Sequence, residues 1–190
     1  MEKYFVVKYT GQFGFIKPWT AVRDSETFSQ QFLTPSIVEG IEKKLFPELL
    51  KEKGIQKIKR HRLSYTQINQ QQEVIQTRGW NLKSKVFSRP TAVLTRGVLL
   101  EPVLHLAFFN IDDAEVAAKQ HVCLCRNEDV LMPSEIIEIS IDDFDDEERF
   151  NGYELIFEKT EDSFHVGYDR LTKEPMYGWL KIVGTPVKSF

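Results

Sequence analysis

Residues 32–46, Phe-Leu-Thr-Pro-Ser-Ile-Val-Glu-Gly-Ile-Glu-Lys-Lys-Leu-Phe, predict the first helix of the chain. Thr34 can cap the free backbone N–H groups, and Pro35 suits the first helical position. Apolar residues then recur at helical spacing, with charged residues between them on the outer face. Pro47 ends or kinks this helix. The fold class depends on the strands that flank it.

Strand-like sequence lies on both sides of this helix. Residues 3–9 are aromatic and β-branched, residues 55–68 mix apolar with basic side chains, and residues 97–110 form a strong strand with Pro102 at a bulge or edge. Asp112 and Asp113 precede a short helix over residues 114–119. Further strands are predicted over residues 121–125, 153–157, 165–168 and 177–183.

The order strand, helix, strand, strand, helix, strand predicts an α+β fold of the ferredoxin-like, RNA-recognition type. We expect this βαββαβ unit to carry insertions and extra C-terminal strands. The chain has 190 residues, which fit a single domain over residues 1–190.

The charges are divided unevenly along the chain. Residues 51–100 carry 11 Lys or Arg against 2 Asp or Glu, whereas residues 101–190 carry 8 against 20. This asymmetry favours a polyanion on one surface and solvent or a basic partner on the other. The alternative is that folding interleaves the two halves and that the charges only solvate the surface. The pattern predicts a basic insertion over about residues 55–96 and an acidic loop over about 126–152, mobile or solvated at residues 142–148.

The usual motifs of catalysis and metal binding are missing from the sequence. It has no phosphate-binding glycine loop, no nucleophile elbow and no calcium loop. A metal site on Cys123, Cys125 and His121 is conceivable, but we expect both cysteines to be small side chains in a buried strand. We therefore expect no metal and no cofactor. With no signal peptide and no apolar run of about 20 residues, a cytoplasmic location without membrane contact is expected.

Basic, aromatic and amide side chains alternate through the basic insertion. Phosphates attract cations, exposed bases stack on aromatic or guanidinium faces, and amides hydrogen-bond base edges. We expect the fold to hold the acidic stretch 126–162 apart from this surface. The alternative is a basic solvated edge with Trp80 in the core. The candidate RNA-binding residues are Lys17, Trp19, Arg23, Lys57, Lys59, Arg60, Arg62, Tyr65, Arg78, Trp80, Lys83, Lys85, Arg89 and Arg96.

Three stretches of the sequence resemble one family of proteins. They are Phe15-Ile-Lys-Pro18, the excursion to Thr27-Phe28, and Phe32-Leu-Thr-Pro-Ser36 leading into Ile37-Val-Glu-Gly40. They look like the Cas-five family of CRISPR effector-complex subunits, in the superfamily called repeat-associated mysterious proteins. Residues 96–108, Tyr168-Asp169 and Glu174-Pro-Met-Tyr177 are similar to its central and C-terminal segments.

The resemblance implies an RNA-binding subunit of a CRISPR interference ribonucleoprotein, which holds the 5′ handle of the CRISPR RNA and caps the complex. Its implied partners are the CRISPR RNA, the repeating backbone subunit and, in many members, a large subunit. One branch of the family also cuts precursor CRISPR RNA without metal, using a tyrosine, a lysine and a histidine. The nearest trio here is Tyr65, Lys59 and His61, with His61 as general base.

Two alternatives to a non-catalytic RNA-binding subunit therefore stay open. The first is a metal-independent endoribonuclease on the same fold. The second is a protein–protein adaptor whose acidic C-terminal half does the binding.

Overall fold

The computed structural model describes residues 2–18, 25–77, 79–169 and 172–187, with the backbone alone for Lys83. These residues form two α-helices and mostly antiparallel sheets, so the predicted α+β class is confirmed. The α-helices are α1 (Pro35–Leu45) and α2 (Ile111–Ala117), and the 3₁₀ helices are Pro47–Lys51 and Asp142–Asp145. The strands are β1 (Lys3–Thr10), β2 (Phe13–Gly14), β3 (Glu26–Phe28), β4 (Ile58–Ser64), β5 (Gln67–Gln76), β6 (Asn81–Lys83), β7 (Val86–Ser88), β8 (Thr91–Leu100), β9 (Val103–Phe108), β10 (Val122–Cys123), β11 (Val130–Ser140), β12 (Gly152–Ile156), β13 (Phe164–Tyr168) and β14 (Pro175–Val183).

The largest sheet of the described residues has the order β10-β11-β1-β9-β4-β12-β14-β13. Both α-helices cover the same face of this sheet, because their buried residues join one cluster with those of β1, β4 and β9. Along the chain the elements β1, α1, β4, β9, α2 and β11 follow each other in the predicted order, with other strands inserted between them. None of the described helices is long and apolar enough to cross a membrane.

Helix α1 follows the predicted bounds closely, but one of its charged residues is buried. Val38, Ile41 and Leu45 turn inward as their spacing predicts. Glu42 is fully buried instead of lying on the outer face, and its carboxylate accepts hydrogen bonds from the backbone N–H groups of residues 56, 57 and 58, at 2.8, 2.6 and 2.7 Å. These bonds attach the helix to the start of β4, where peptide groups would otherwise lack partners.

The stretch 97–110 is two strands rather than the predicted single strand. Glu101 takes a left-handed conformation with φ +49°, and Pro102 follows it. The chain turns there from β8, which belongs to a second sheet, into β9 of the largest sheet. Pro102 has no N–H group to donate to a neighbouring strand, and the left-handed Glu101 turns the backbone out of the extended conformation. The strand therefore breaks at the position where Pro102 predicted a bulge.

The second sheet forms an arm, which we define as residues 67–100. Strands β5 and β8 pair along their whole length, from Gln67 opposite Leu100 to Gln76 opposite Thr91. Strands β2 and β3 flank β8 only near its C-terminal half, where Val98 and Leu99 are buried. Away from this flanked end, toward the small hairpin of β6 and β7, the described side chains of the arm are exposed or half-exposed on both faces. The predicted basic insertion is thus mainly this arm, since residues 58–64 belong to the central sheet.

The prediction of an acidic loop over residues 126–152 is wrong. Strand β11 occupies residues 130–140 and pairs with β1. The 3₁₀ helix that follows buries Phe144, which packs with Phe150 and Tyr4 on the sheet face opposite the α-helices. The six acidic residues between 142 and 148 predicted a solvent-exposed segment. The single aromatic residue among them, Phe144, is buried and attaches the segment to the apolar face of the sheet.

Candidate nucleic-acid interface

Strand β4 carries the densest basic sequence, and it distributes its side chains between the two faces of the sheet. An irregularity in its pairing lies between Ile58 and Arg60. Beyond this irregularity the side chains alternate. Leu63 and Tyr65 join the hydrophobic cluster between the sheet and the α-helices. Arg60 and Arg62 lie against Phe144 on the opposite face of the sheet. This is the period of two that any strand imposes on its side chains.

Arg62 is fully buried, and both terminal nitrogens of its guanidinium have acceptors. Its Nη2 atom is 2.9 Å from Asp145 Oδ1 and 2.7 Å from Glu154 Oε2. Its Nη1 atom donates to the backbone carbonyls of Phe144 and Phe150, at 2.8 and 2.9 Å. A charge that is taken out of water needs such a shell of partners, because an unpaired buried ion is very costly.

Arg60 and Lys181 complete this ion cluster. Arg60 binds both oxygens of Glu154, with Nε at 2.6 Å and Nη2 at 2.7 Å, and Lys181 Nζ lies 2.7 Å from Asp145 Oδ2. Burial alone would raise the pKa of Glu154, but the hydrogen bonds from Arg60 hold it below its usual range. Burial also opposes ionisation of Asp145, yet the bonds from Lys181 and Arg62 hold its pKa far below the usual value. Both carboxylates therefore stay charged at neutral pH.

The ion cluster overturns two expectations from the sequence. Arg62 has no exposed side-chain surface and Arg60 has little, so neither offers its guanidinium to RNA in this structure. The acidic segment is also not held apart from the basic strand, because Asp145 lies directly between Arg60 and Arg62. Sequence separation gave no indication of this contact, which spans more than 80 residues.

The other predicted basic residues of the body have mixed environments. Lys57 is half-buried between Glu48 and Asp113, with Nζ at 2.9 and 2.8 Å from their carboxylates. Arg96 is half-buried and lies 3.4 Å from Glu73. Lys17 and Lys59 are exposed, and Lys59 Nζ donates to the backbone carbonyl of residue 56. Trp19, Arg23 and Arg78 lie outside the described residues, as does the side chain of Lys83.

The remaining described candidates lie on the hairpin at the end of the arm. Trp80 is 58% exposed, so it is not the core residue of the alternative reading. The Arg89 guanidinium lies over its indole ring, 4.6 Å from the ring centroid. Lys85 is exposed in the turn between β6 and β7, where both Ser84 and Lys85 have positive φ angles of 50° and 65°. The arm therefore presents an aromatic face with one cation stacked on it, and a second exposed cation in the turn at the other end of the hairpin.

Apolar residues of the arm were missed by the sequence reasoning. Leu82 and Phe87 are cross-strand neighbours on the end hairpin and are 60% and 67% exposed. Val74 and Val93 face each other farther down, at 68% and 54% exposed. Exposed apolar side chains in such number indicate a surface that meets a partner. The signal available in the sequence was three short apolar groups, Val74-Ile75, Val86-Phe87 and Ala92-Val-Leu94, within an otherwise polar stretch.

The trio Tyr65, Lys59 and His61 does not converge on one point. His61 and Tyr65 are four residues apart on one strand face, which is roughly 13 Å, and both are buried. Burial lowers the pKa of His61 to about 4, and burial raises the pKa of Tyr65. The Tyr65 hydroxyl donates to Gln31, while Lys59 points to solvent. A base and an acid for RNA cleavage need to reach the same ribose and phosphate.

The cysteines are not part of a buried pair. Cys123 is half-buried, with Sγ 3.8 Å from the backbone carbonyl of Asn127, and Cys125 is exposed, contrary to the prediction. In the part of the chain that the structure describes, no three His, Cys, Asp or Glu side chains form a group that could hold a metal ion.

Comparison with known proteins gives a likeness of fold. No protein-family model and no curated protein sequence matches the chain. Among solved structures, a chain of a "CRISPR RNA-guided surveillance complex" is similar, with a TM-score of 0.50 and 10% sequence identity. The match covers 98% of this chain and 93% of that chain, so the fold is shared over nearly the whole length.

Proposed function

We propose that this protein is an RNA-binding subunit of a CRISPR RNA-guided complex, which holds the 5′ handle of the CRISPR RNA and caps the complex. The observation that carries the proposal is the end of the arm, where exposed Trp80 lies against Arg89 and close to Lys85 in sequence. An aromatic face binds bases and cations bind phosphates, and both are needed for a single-stranded nucleic acid.

The likeness of fold supports the proposal. The strand order β11-β1-β9-β4, with both helices on one face, is the arrangement expected of a ferredoxin-like βαββαβ core. The similar solved chain belongs to a CRISPR RNA-guided surveillance complex. We propose on this ground that the chain is of the Cas-five type and that its partners are the CRISPR RNA, the repeating backbone subunit and a large subunit.

The proposed RNA surface differs from the one that the sequence predicts. It consists of the arm residues Trp80, Lys85 and Arg89, with Lys17 and Lys59 as exposed cations of the body. Arg60 and Arg62 are left out because their charges are neutralised within the protein. Lys57 and Arg96 are also occupied by carboxylates, so they would contribute only if RNA displaced Glu48, Asp113 or Glu73.

The proposal is tested by purifying the protein and sequencing any RNA that copurifies. We expect an absorbance ratio at 260 over 280 nm above that of protein alone, and RNA with one shared 5′ end. That 5′ segment then serves as a labelled probe in an anisotropy titration, with a DNA duplex of equal length as control. Absence of copurifying RNA would contradict the proposal, and so would equal affinity for both probes where RNA is found.

RNA cleavage is not part of this proposal. The separation and burial of His61 and Tyr65 do not favour it, and a single measurement decides the matter. Precursor RNA incubated with the protein in EDTA should keep its length, whereas a metal-independent endoribonuclease would shorten it.

A further inference from the structure

The outer edge of strand β11 is open. One edge of β11 pairs with β1 from Met132 to Ser140. Its other edge pairs with β10 only at Val130 and Leu131. Among the residues that the structure describes, no further strand pairs with the outward backbone groups from Met132 to Ser140, a length of roughly 30 Å. Such a row of N–H and C=O groups is a template for an added strand.

A cleft lies beside the start of β11, on the side of the segment that follows β1 and not at the open edge. It has a volume of about 540 Å³, and Met132 and Val130 of β11 line it together with Phe13 and Gln12. Met132 is 57% exposed although it is apolar. The cleft is lined by residues 10–13 and so lies next to the inner edge of β11, which leaves the outward backbone groups as the binding feature of the open edge.

The side chains along the edge are acidic. Glu138 pairs with Lys3, and Glu135 Oε1 lies 3.0 Å from Lys8 Nζ, so each glutamate uses one carboxylate oxygen on an inboard cation. Glu128, in the lining of the cleft, does the same with Arg126 at 3.4 Å. Asp142 and Asp143, just beyond the strand, are exposed and have no cationic partner within the described ranges. Arg126 is also bound by the buried Asp129, so acidic residues outnumber the cations on this stretch. Glu135 and Glu138 lie on opposite faces of β11, three residues apart, and each keeps about half of its side chain exposed.

We propose that the outer edge of β11 binds an extended, basic segment of a partner protein as an added β-strand. The excess of acid favours Lys or Arg in the incoming strand, since opposite charges across a strand pair stabilise it and like charges destabilise it. A second copy of this chain fits less well, because it would bring Glu135 and Glu138 close to the same residues of its twin.

Pro133 and the two glutamates limit this edge to matched partners. A proline and charged side chains are common devices against unwanted strand pairing. Here Pro133 lies at one end, next to an irregularity in the pairing with β1, so residues 135–140 keep a regular backbone. The same two glutamates repel an acidic strand and attract a basic one, so they make the edge selective.

The proposal is tested on the full chain with three labelled nine-residue peptides of defined sequence. The first alternates lysine and valine, the second replaces each lysine with glutamate, and the third keeps the lysines but has proline in place of two valines. We expect the first peptide to bind, with slower amide hydrogen exchange at residues 134–140. The glutamate peptide should not bind, and the proline peptide, equal in charge, should bind at least about tenfold more weakly because it cannot form the strand ladder.

A charge-reversed pair of variants locates the site. Glu135→Lys with Glu138→Lys should weaken binding of the lysine–valine peptide at least about fivefold, whereas Glu161→Lys with Asp162→Lys, on an exposed turn elsewhere, should not. Equal binding of the lysine–valine and proline peptides would overturn the proposal, because attraction by charge alone would then explain it. So would amide protection of β11 that rises with protein concentration in the absence of peptide, which would mean that copies of the chain pair with each other.

Discussion

Arg62 lies buried in β4 with its Nη2 atom 2.9 Å from the carboxylate of Asp145, a residue 83 positions later in the chain. The two residues belong to the basic and the acidic parts of the sequence. Their contact means that the uneven charge distribution along the chain is partly neutralised inside the fold. If the proposed function holds, the arm is the surface that remains for RNA, because the described cations Lys85 and Arg89 are not paired with buried carboxylates there.

Breaking the ion cluster should destabilise the fold strongly. Glu154→Gln leaves Arg60 and Arg62 close together and undercompensated in a buried place, so the free energy of unfolding should fall by about 3–5 kcal/mol. Urea denaturation measures this change. As a matched control, Lys3→Met removes an exposed ion pair with Glu138 and should change the free energy by less than about 1 kcal/mol. Similar losses for the two variants would show that the cluster is not a structural element.

Stability should fall as the pH is lowered from neutral toward 4. Burial lowers the pKa of both His61 and His105 to about 4 in the folded chain. Both titrate at about 6.5 when unfolded, so the unfolded state takes up protons first and stability decreases by roughly 1.4 kcal/mol per pH unit for each histidine. The loss begins below about pH 6.5 and is complete near the folded pKa. The carboxyls of Asp145 and Glu154, whose pKa values are lowered, add a further loss only at more acidic pH, below about 4.

Urea midpoints between pH 7 and pH 5 measure this slope. The double variant His61→Gln with His105→Gln removes both titrating groups and should flatten it, whatever its stability at pH 7. The exposed His121→Gln variant is the control and should keep the slope of the unchanged chain. A steep slope in the double variant would assign the pH dependence to other groups.

Trp80→Ala should weaken RNA binding without loss of stability. Stacking of a base on an aromatic side chain is worth roughly 1–3 kcal/mol, so the affinity should fall about 5- to 150-fold. The thermal midpoint should stay the same because the side chain is largely exposed. Tyr168→Ala removes an equally exposed aromatic that is not part of the arm, and it should leave the affinity unchanged. An equal effect of the two variants would mean that RNA does not select Trp80.

Lys85→Gly should remove one charge from the turn and weaken RNA binding without lowering the stability of the fold. Glycine adopts the φ of +65° without strain, so the thermal midpoint should stay or rise. Loss of one phosphate contact should make the plot of log affinity against log salt shallower by about 0.7, the value for single strands. Anisotropy titrations over a range of salt concentrations measure it. An unchanged slope would remove Lys85 from the RNA surface.

The central strands and the first helix could be predicted from the sequence because their apolar periods are clear and their ends carry proline or capping residues. Strand β5 could not, because its glutamine-rich sequence, Gln67–Gln76, has few apolar residues and because β8 is the one strand that pairs with it among the described residues. The turn between β6 and β7 was hidden as well. It uses Ser84 and Lys85 at positions where a hairpin normally has asparagine or glycine.

The candidate site was predicted only in its composition. Basic residues on a strand suggest phosphate binding, but the sequence does not show which strand face is covered. Arg60 and Arg62 are covered because Phe144 packs on the sheet beside them and brings an acidic segment with it. This contact joins distant parts of the chain. Trp80 and Arg89 remain predicted RNA-binding residues, and the structure leaves Trp80 exposed with Arg89 over its ring.

The most direct test of the account is to shorten the arm and measure the affinity for handle RNA. Residues 78–89 are replaced by an Asn-Gly turn, which can connect β5 to β8 because the Thr77 N–H donates to the Pro90 carbonyl at 3.0 Å. If the arm is the RNA surface, the affinity should be at least about tenfold lower at an unchanged thermal midpoint. An affinity equal to that of the full chain would contradict it and move the RNA surface off the arm.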